Sequence, residues 1–181
     1  MTKHELLSAL TNTWQSFVFG LLLPELLTKD AWSRLSGKTI IFEGPEGPKI
    51  YVGPKWYAEA IMNVNSRANI IGEFEKALKR AVVREGHEFI IFYCEQTHQF
   101  EKYKGVSWFQ FARIMRNVVS HKQNGVLDKW PDDLVKKGIS SVSWRTRTLD
   151  ISMVGQEISF THVEALQLLA DQMDFVKTDL V

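Results

Sequence analysis

Residues 107–121 read SWFQFARIMRNVVSH, and the way their side chains divide around a helix decides how the rest of the chain is read. With Arg116 as origin and about 100° per residue, Val118, Phe111, Met115, Trp108, Val119 and Ala112 fill an arc from about 200° to 320°. A stripe that wide faces a core. Ser120, Arg113, Asn117 and His121 fall on the other side, at about 40°, 60°, 100° and 140°, so this polar arc is expected to face outward or into an interface. Phe109 and Ile114 flank it near about 20° and 160°. An apolar rim around a polar centre is the pattern of a surface that another chain covers. Gly105 precedes this helix and Asn124 and Gly125 follow it, residue types that close helices.

Working outward toward the N-terminus, residues 88–103 read as one helix. Residues 56–84 lack proline and set Trp56, Ala60, Val64, Ile71, Phe74, Leu78, Ala81 and Val82 on one apolar face, which predicts a long helix before it. Thr2 and Glu5 form a capping box, and Leu6, Leu7, Leu10, Trp14, Phe17 and Val18 recur at helical spacing, giving a first helix over 3–19. Between these helices, 39–42 and 50–52 are β-type runs around Gly44, Pro45, Gly47 and Pro48, a small hairpin. Toward the C-terminus, 141–150 alternates and is rich in Ser, Thr and Val, and 151–160, broken by Gly155, is expected to pair with it as a second hairpin. Thr161 and Glu164 form another capping box ahead of a last helix with the stripe Val163, Leu166, Leu169, Met173 and Val176. The fold class is therefore mainly α, a single domain over 1–181 with two β-hairpins inserted.

Composition narrows the function classes. With 22 Lys and Arg against 21 Asp and Glu the formal charge is +1, so no global positive field holds nucleic acid, and RNA binding must come from a local patch. The single cysteine, Cys94, excludes an internal disulfide framework and a four-cysteine zinc site. Set among Ile90, Ile91, Phe92 and Tyr93, it reads as a buried small apolar residue. The most apolar stretch, 17–27, is interrupted by Gly20, Pro24 and Glu25 and falls short of the ~20 residues of a membrane span. Residues 1–10 carry Glu5 and no cleavage-site pattern, so a cytoplasmic protein is expected. The histidines lack metal-site spacing, and no glycine-rich phosphate loop is present.

The stretch FARIMRNVVSHKQNG, residues 111–125, resembles the signature helix of HEPN domains, in which an Arg is followed after four to six residues by a His, often with Asn directly after the Arg. Arg116, Asn117 and His121 carry the likeness. The loose spacing alone is met by Arg80 and His87 as well, whereas the full Arg-Asn-x-x-x-His string would arise by chance on the order of one time in a hundred. The two hairpins depart from a plain helical bundle. The resemblance implies a HEPN-like antiparallel bundle and a metal-independent endoribonuclease that needs no cofactor, acting in a toxin or defence role like plasmid and defence-associated members. It further implies a homodimer whose two motifs build one composite cleft, with an antitoxin or nucleotidyltransferase as a further partner.

In that chemistry a ribose 2'-hydroxyl attacks the adjacent phosphorus, leaving a 2',3'-cyclic phosphate and a 5'-hydroxyl. His121 suits the proton transfer, since an ordinary imidazole titrates near ~6.5. The forked guanidinium of Arg116 suits the developing phosphoryl charge. Asn117, one turn from His121, would orient the imidazole or donate to phosphate. Arg113, Ser120, Lys122 and Arg67 are the RNA-binding candidates, Arg67 being set on the apolar face of the second helix, where it would reach phosphate or pair with a carboxylate such as Glu75. Trp144, Arg145 and Arg147 could contact single-stranded RNA, although a strand with an exposed polar face accounts for them better. The competing function is a noncatalytic HEPN-type module that binds RNA, a nucleotide or a partner protein through the same polar face.

Overall fold

A computed structural model describes residues 1–26, 40–42, 50–52, 63–121 and 125–181. These are mainly helical, with two small antiparallel two-stranded sheets. They divide into two compact units, Val18–Ala77 and the larger Met1–Phe17 with Leu78–Val181. In the smaller unit, β1 (Ile40–Phe42) pairs with β2 (Ile50–Val52) with Ile41 opposite Tyr51, the hairpin that the two β-type runs announce.

Helix α1 (Lys3–Leu26) begins with the expected capping box: the Glu5 amide donates to Thr2 Oγ1 at 3.2 Å and the Thr2 amide to Glu5 Oε2 at 2.6 Å. It continues about two turns past residue 19. By length and composition alone, Lys3–Pro24 meets the requirement of a membrane span, contrary to the expectation for this region. In the larger unit one face of the helix is buried, with Leu6, Leu10 and Phe17 inside and Thr13 donating to Glu85 at 3.1 Å, whereas Phe19 and Leu22 further along are exposed.

Where the sequence pattern predicts two helices, over 56–84 and 88–103, the described residues form one continuous helix, α2 (Val64–Gln96), followed by a single-turn α3 (Phe100–Lys104). Residues 56–62 lie outside the described residues. Asn63 caps α2, its Oδ1 accepting from the amides of Asn65 and Ser66 at 3.1 and 3.2 Å. The glycine at 86 does not break the helix; it is there for packing. A Cβ on Gly86 would come within 2.4 Å of Gln172 Oε1 and 2.9 Å of Leu169 Cδ1. The true break is at His98, held at φ 57°. There the Gln99 amide reaches back to the Cys94 carbonyl at 2.7 Å and the His98 amide to Glu95 at 3.3 Å, a left-handed helix stop made by histidine instead of glycine.

The motif helix, α4 (Phe109–His121), keeps the expected phase. Phe111, Ala112, Met115, Val118 and Val119 are buried, and Arg113, Arg116, Asn117 and Ser120 are half-buried. The expected rim is corrected: Phe109 and Ile114 are only 3% and 1% exposed. Phe109 lies edge-on to Tyr103 at 5.0 Å and to Phe100 at 6.2 Å, so α3 covers one edge of the arc within the chain, and the rim does not argue for a second copy.

Beyond α4, α5 (Asp132–Lys136) follows Pro131. The late hairpin also differs from expectation, because both of its strands lie inside 141–150. Strand β3 (Ser141–Trp144) pairs with β4 (Arg147–Asp150), Trp144 opposite Arg147, across a turn in which Arg145 adopts φ 51°. Residues 151–160 hold a 3-10 turn at Ile151–Met153 and one bridge, Val126 to Glu157. The turn is fixed from outside: Trp144 Nε1 donates to Asp171 at 2.7 Å, and Arg145 binds the same carboxylate at 3.0 and 2.7 Å. Asp171 belongs to the last helix, α6 (His162–Thr178), which carries the expected Thr161–Glu164 capping box. Phe111 on α4 packs against Trp144 at 5.3 Å, and Tyr103 stacks on Phe175 of α6 at 5.4 Å.

The Gly86 contact gives a test whose sign opposes helix propensity. Alanine is favoured over glycine inside a helix by about 1 kcal/mol, but Leu169 and Gln172 are each 1% exposed and have little room to move. Gly86→Ala is expected to lose about 1–3 kcal/mol through overpacking, seen as a lowered urea midpoint at unchanged m-value.

Candidate active site

The polar arc of α4 forms one wall of a cleft of about 750 Å³ in the larger unit, within the roughly 300–1,000 Å³ of small-molecule sites. Helix α4 contributes Phe109, Gln110, Arg113, Arg116 and Asn117; α2 contributes His87, Glu88 and Ile91. The α3 turn adds Phe100, Glu101 and Lys104, and Asp133 and Lys137 close the far side. Cations and carboxylates are nearly balanced along these walls.

Arg116 is anchored through both terminal nitrogens. Its Nη1 donates to Asn117 Oδ1 at 3.0 Å, and its Nη2 makes a short ion pair with Glu88 Oε1. Glu88 also accepts from Arg84 Nε through both oxygens at 3.1 Å. Burial alone would raise the Glu88 carboxyl; the hydrogen bonds from Arg116 and Arg84 outweigh it and hold the group below the usual carboxylate range. The guanidinium plane of Arg116 is thereby fixed while its remaining N–H donors stay available to an oxyanion. One turn earlier, Arg113 Nη2 binds both oxygens of Asp133 at 2.9 and 3.1 Å, and that bond holds the Asp133 carboxyl low as well. Gln110 Oε1 and Arg113 Nε are buried without a hydrogen-bond partner among the described residues.

Of the expected site residues, the cleft brings together Arg113, Arg116 and Asn117. Ser120 sits on the same helix but outside the cleft lining, its Oγ buried and without a hydrogen-bond partner among the described residues. His121 ends α4, and its side chain lies outside the described residues, as does Lys122. Arg67 belongs to the smaller unit. It is exposed there and makes no ion pair with a described residue, so its expected burial on an apolar face is corrected. The late hairpin's cations are committed internally. Arg147 donates to the Ser159 carbonyl at 2.5 Å and pairs with Glu164 at 3.2 Å, and Trp144 is buried.

His87, Glu88 and Asp133 line the cleft beside the arginines and were not among the site residues expected from the sequence. The Arg84–Glu88 spacing of one helical turn was the only local signal for Glu88. His87 is 2% exposed, with Nδ1 at 2.8 Å from the Tyr103 hydroxyl. Burial, then the positive charges of Arg116 and Arg113, pull its imidazole down to about 4, against an upward pull from Glu88. Cys94 is buried as expected, and burial pushes its thiol up to about 11. Among the described residues, no group of three or more His, Cys, Asp or Glu side chains could hold a metal ion.

The lowered His87 value makes a stability prediction. Between about 6.5 and about 4 the unfolded imidazole is protonated and the folded one is not, so stability is full above about 6.5 and is lost as pH falls toward 4, by about 3 kcal/mol in all. Urea titrations at several pH values should give this slope. It should be absent from His87→Gln.

No family model matches the chain, no curated protein matches it, and no solved structure matches it, so the chemistry of the cleft carries the functional reading.

Proposed function

We propose that the chain is a metal-independent endoribonuclease of HEPN type, cleaving RNA by 2'-hydroxyl attack to leave 2',3'-cyclic phosphate ends. The observation that carries this reading is the cleft in which Arg116, its plane held by Asn117 and Glu88, stands one turn from Arg113. Two forked guanidiniums on one helix row match the non-bridging oxygens of a phosphodiester. Fixed donors aimed at developing charge are the largest lever such a reaction has. The motif histidine, His121, supplies the proton transfer. The protein would work in the cytoplasm as a homodimer, in a toxin or defence role alongside an antitoxin or nucleotidyltransferase.

A second reading, a HEPN-type module that binds RNA, a nucleotide or a partner protein without cleaving, draws on a different feature of the same cleft. Arg113, Arg116 and Lys104 are each closed by a carboxylate, which lowers the local field available to a polyanion.

Purified protein incubated with mixed RNA in excess EDTA should yield cyclic phosphate ends. His121→Ala and Arg116→Ala should each cut the rate by ~10²- to 10⁴-fold. Arg116 is 29% exposed at its side chain and Glu88 keeps Arg84, so Arg116→Ala should cost no more than about 1 kcal/mol. Arg116→Lys should also lose most activity, because it keeps the charge and removes the fork. A wild-type protein that cleaves nothing, or alanine variants that unfold, would leave the binding module as the better account.

The homodimer is tested separately. Light scattering at tens of micromolar should give twice the chain mass, and a monomer that still cleaves RNA would remove the composite site.

A further inference from the structure

Transphosphorylation in line needs a base on the entering oxygen and an acid on the leaving oxygen, which stand on opposite sides of phosphorus. One imidazole on α4 serves one side in a single step. A composite cleft would bring a second copy of the motif imidazole; within one chain, the cleft's own walls restrict the choice of a second proton-moving group. Glu88, Asp133 and Glu101 are bound to Arg116, Arg113 and Lys104. A lysine ammonium has donors and no acceptor. What remains is an imidazole.

Resting on the ribonuclease reading above, we propose that His87, on the helix facing the motif, is a second proton-transfer group of this cleft, taking the 2'-hydroxyl proton at Nε2 while His121 protonates the leaving oxygen. His87 lines the cleft beside Arg116 and Asn117. Its Nδ1 is engaged at 2.8 Å by the hydroxyl of Tyr103, which is fully buried, and this fixes the ring. Its Nε2 makes no hydrogen bond with a described residue. An imidazole oriented through one nitrogen by a fixed partner and free at the other is the arrangement a general base needs.

The charges around it set the timing. Arg116 and Arg113 on α4 disfavour the imidazolium, Glu88 on α2 favours it, and Tyr103 on α3 holds Nδ1. Before a phosphodiester binds the ring is therefore neutral, and in the tautomer whose Nδ1–H donates to the Tyr103 hydroxyl oxygen the lone pair lies at Nε2. A phosphodiester bound at the two guanidiniums offsets their charge, so the imidazole becomes a stronger base as substrate enters. The proton of the 2'-hydroxyl passes to His87 Nε2, the O2'–P bond forms, the P–O5' bond breaks, and O5' takes a proton from the His121 imidazolium. Afterwards His87 gives its proton to water and His121 regains one, which closes the cycle without a co-reactant.

The test has a binding arm and a kinetic arm. Uridine 3'-monophosphate, which the enzyme cannot cleave, is added while the His87 ring resonance is followed by NMR across pH. The expected result is an imidazole that titrates about one unit or more higher with the nucleotide bound, an effect absent in Arg116→Ala. A His87 titration that does not move while the nucleotide binds, or a nucleotide that does not bind, overturns the inference. In the kinetic arm, His87→Gln should lower RNA cleavage ~10²-fold or more and remove the acid limb of the kcat/KM pH profile. Tyr103→Phe, which frees Nδ1, should shift that limb with a smaller loss of rate; should His87→Gln fail to fold, this shift and the NMR titration decide. Cleavage at the wild-type rate by a folded His87→Gln protein overturns this inference alone, whereas a wild-type protein without activity overturns the ribonuclease reading and takes this inference with it.

Discussion

The larger unit is organised by one constraint: α4 is buried on nearly every side, yet carries two arginines. Phe109 at one edge of its polar arc and Ile114 at the other are both inside, so among its described side chains only a narrow strip bearing Gln110, Arg113, Arg116, Asn117 and Ser120 meets solvent. Guanidiniums in such a slot lose part of their hydration and cannot stay unpaired. Glu88 must come from α2 and Asp133 from α5, and those two demands fix what flanks the motif. Water still reaches each pair, with Arg116 and Glu88 at 29% and 35% exposure, so each contributes about 1 kcal/mol instead of the several that breaking a sealed pair would cost. Their larger effect is geometric.

The helical phase of α4 was legible because its apolar residues fill a continuous arc, and a phase needs no knowledge of neighbours. How many neighbours surround the helix was not. Phe109 and Ile114 look like a rim when the helix is drawn alone, and the ring cluster that covers Phe109 uses Phe100 and Tyr103 from another element. The break predicted between 84 and 88, which spans Gly86, failed for a related reason. A glycine between two apolar runs reads as punctuation, and only the approach of Leu169 and Gln172, more than eighty residues on, makes it a packing residue. The late hairpin hid its turn because Arg145 is not a residue type that announces a left-handed conformation; the tie to Asp171 holds it there. The capping boxes at Thr2 and Thr161 were read correctly, being purely local.

The site divides the same way. Arg113, Arg116 and Asn117 share one helix row, so their spacing puts them together whatever else the chain does. Glu88 and Asp133 lie 28 and 20 positions from the arginines they bind, and no periodicity links them. His87 was visible only as half of an accidental Arg-to-His spacing. Its place in the cleft depends on α2 running unbroken through Gly86, where the sequence pattern predicts a break between two helices.

Closing each arginine with a carboxylate has a consequence for selectivity. A ligand cannot simply add to the cleft; it must share or displace Glu88 and Asp133, and a carboxylate and a phosphodiester carry similar charge. Net electrostatic gain on exchange is therefore small, and what distinguishes the phosphodiester is the number and direction of its oxygens relative to two forks held at fixed spacing. With a formal charge of +1 across the chain, there is no long-range field to hold RNA while it searches for that fit. Occupancy then depends on geometry at the cleft more than on polyanion attraction. On the ribonuclease reading proposed above, such a cleft would spare most RNA by weak capture and would act where a strand presents its phosphate and 2'-hydroxyl together against α4.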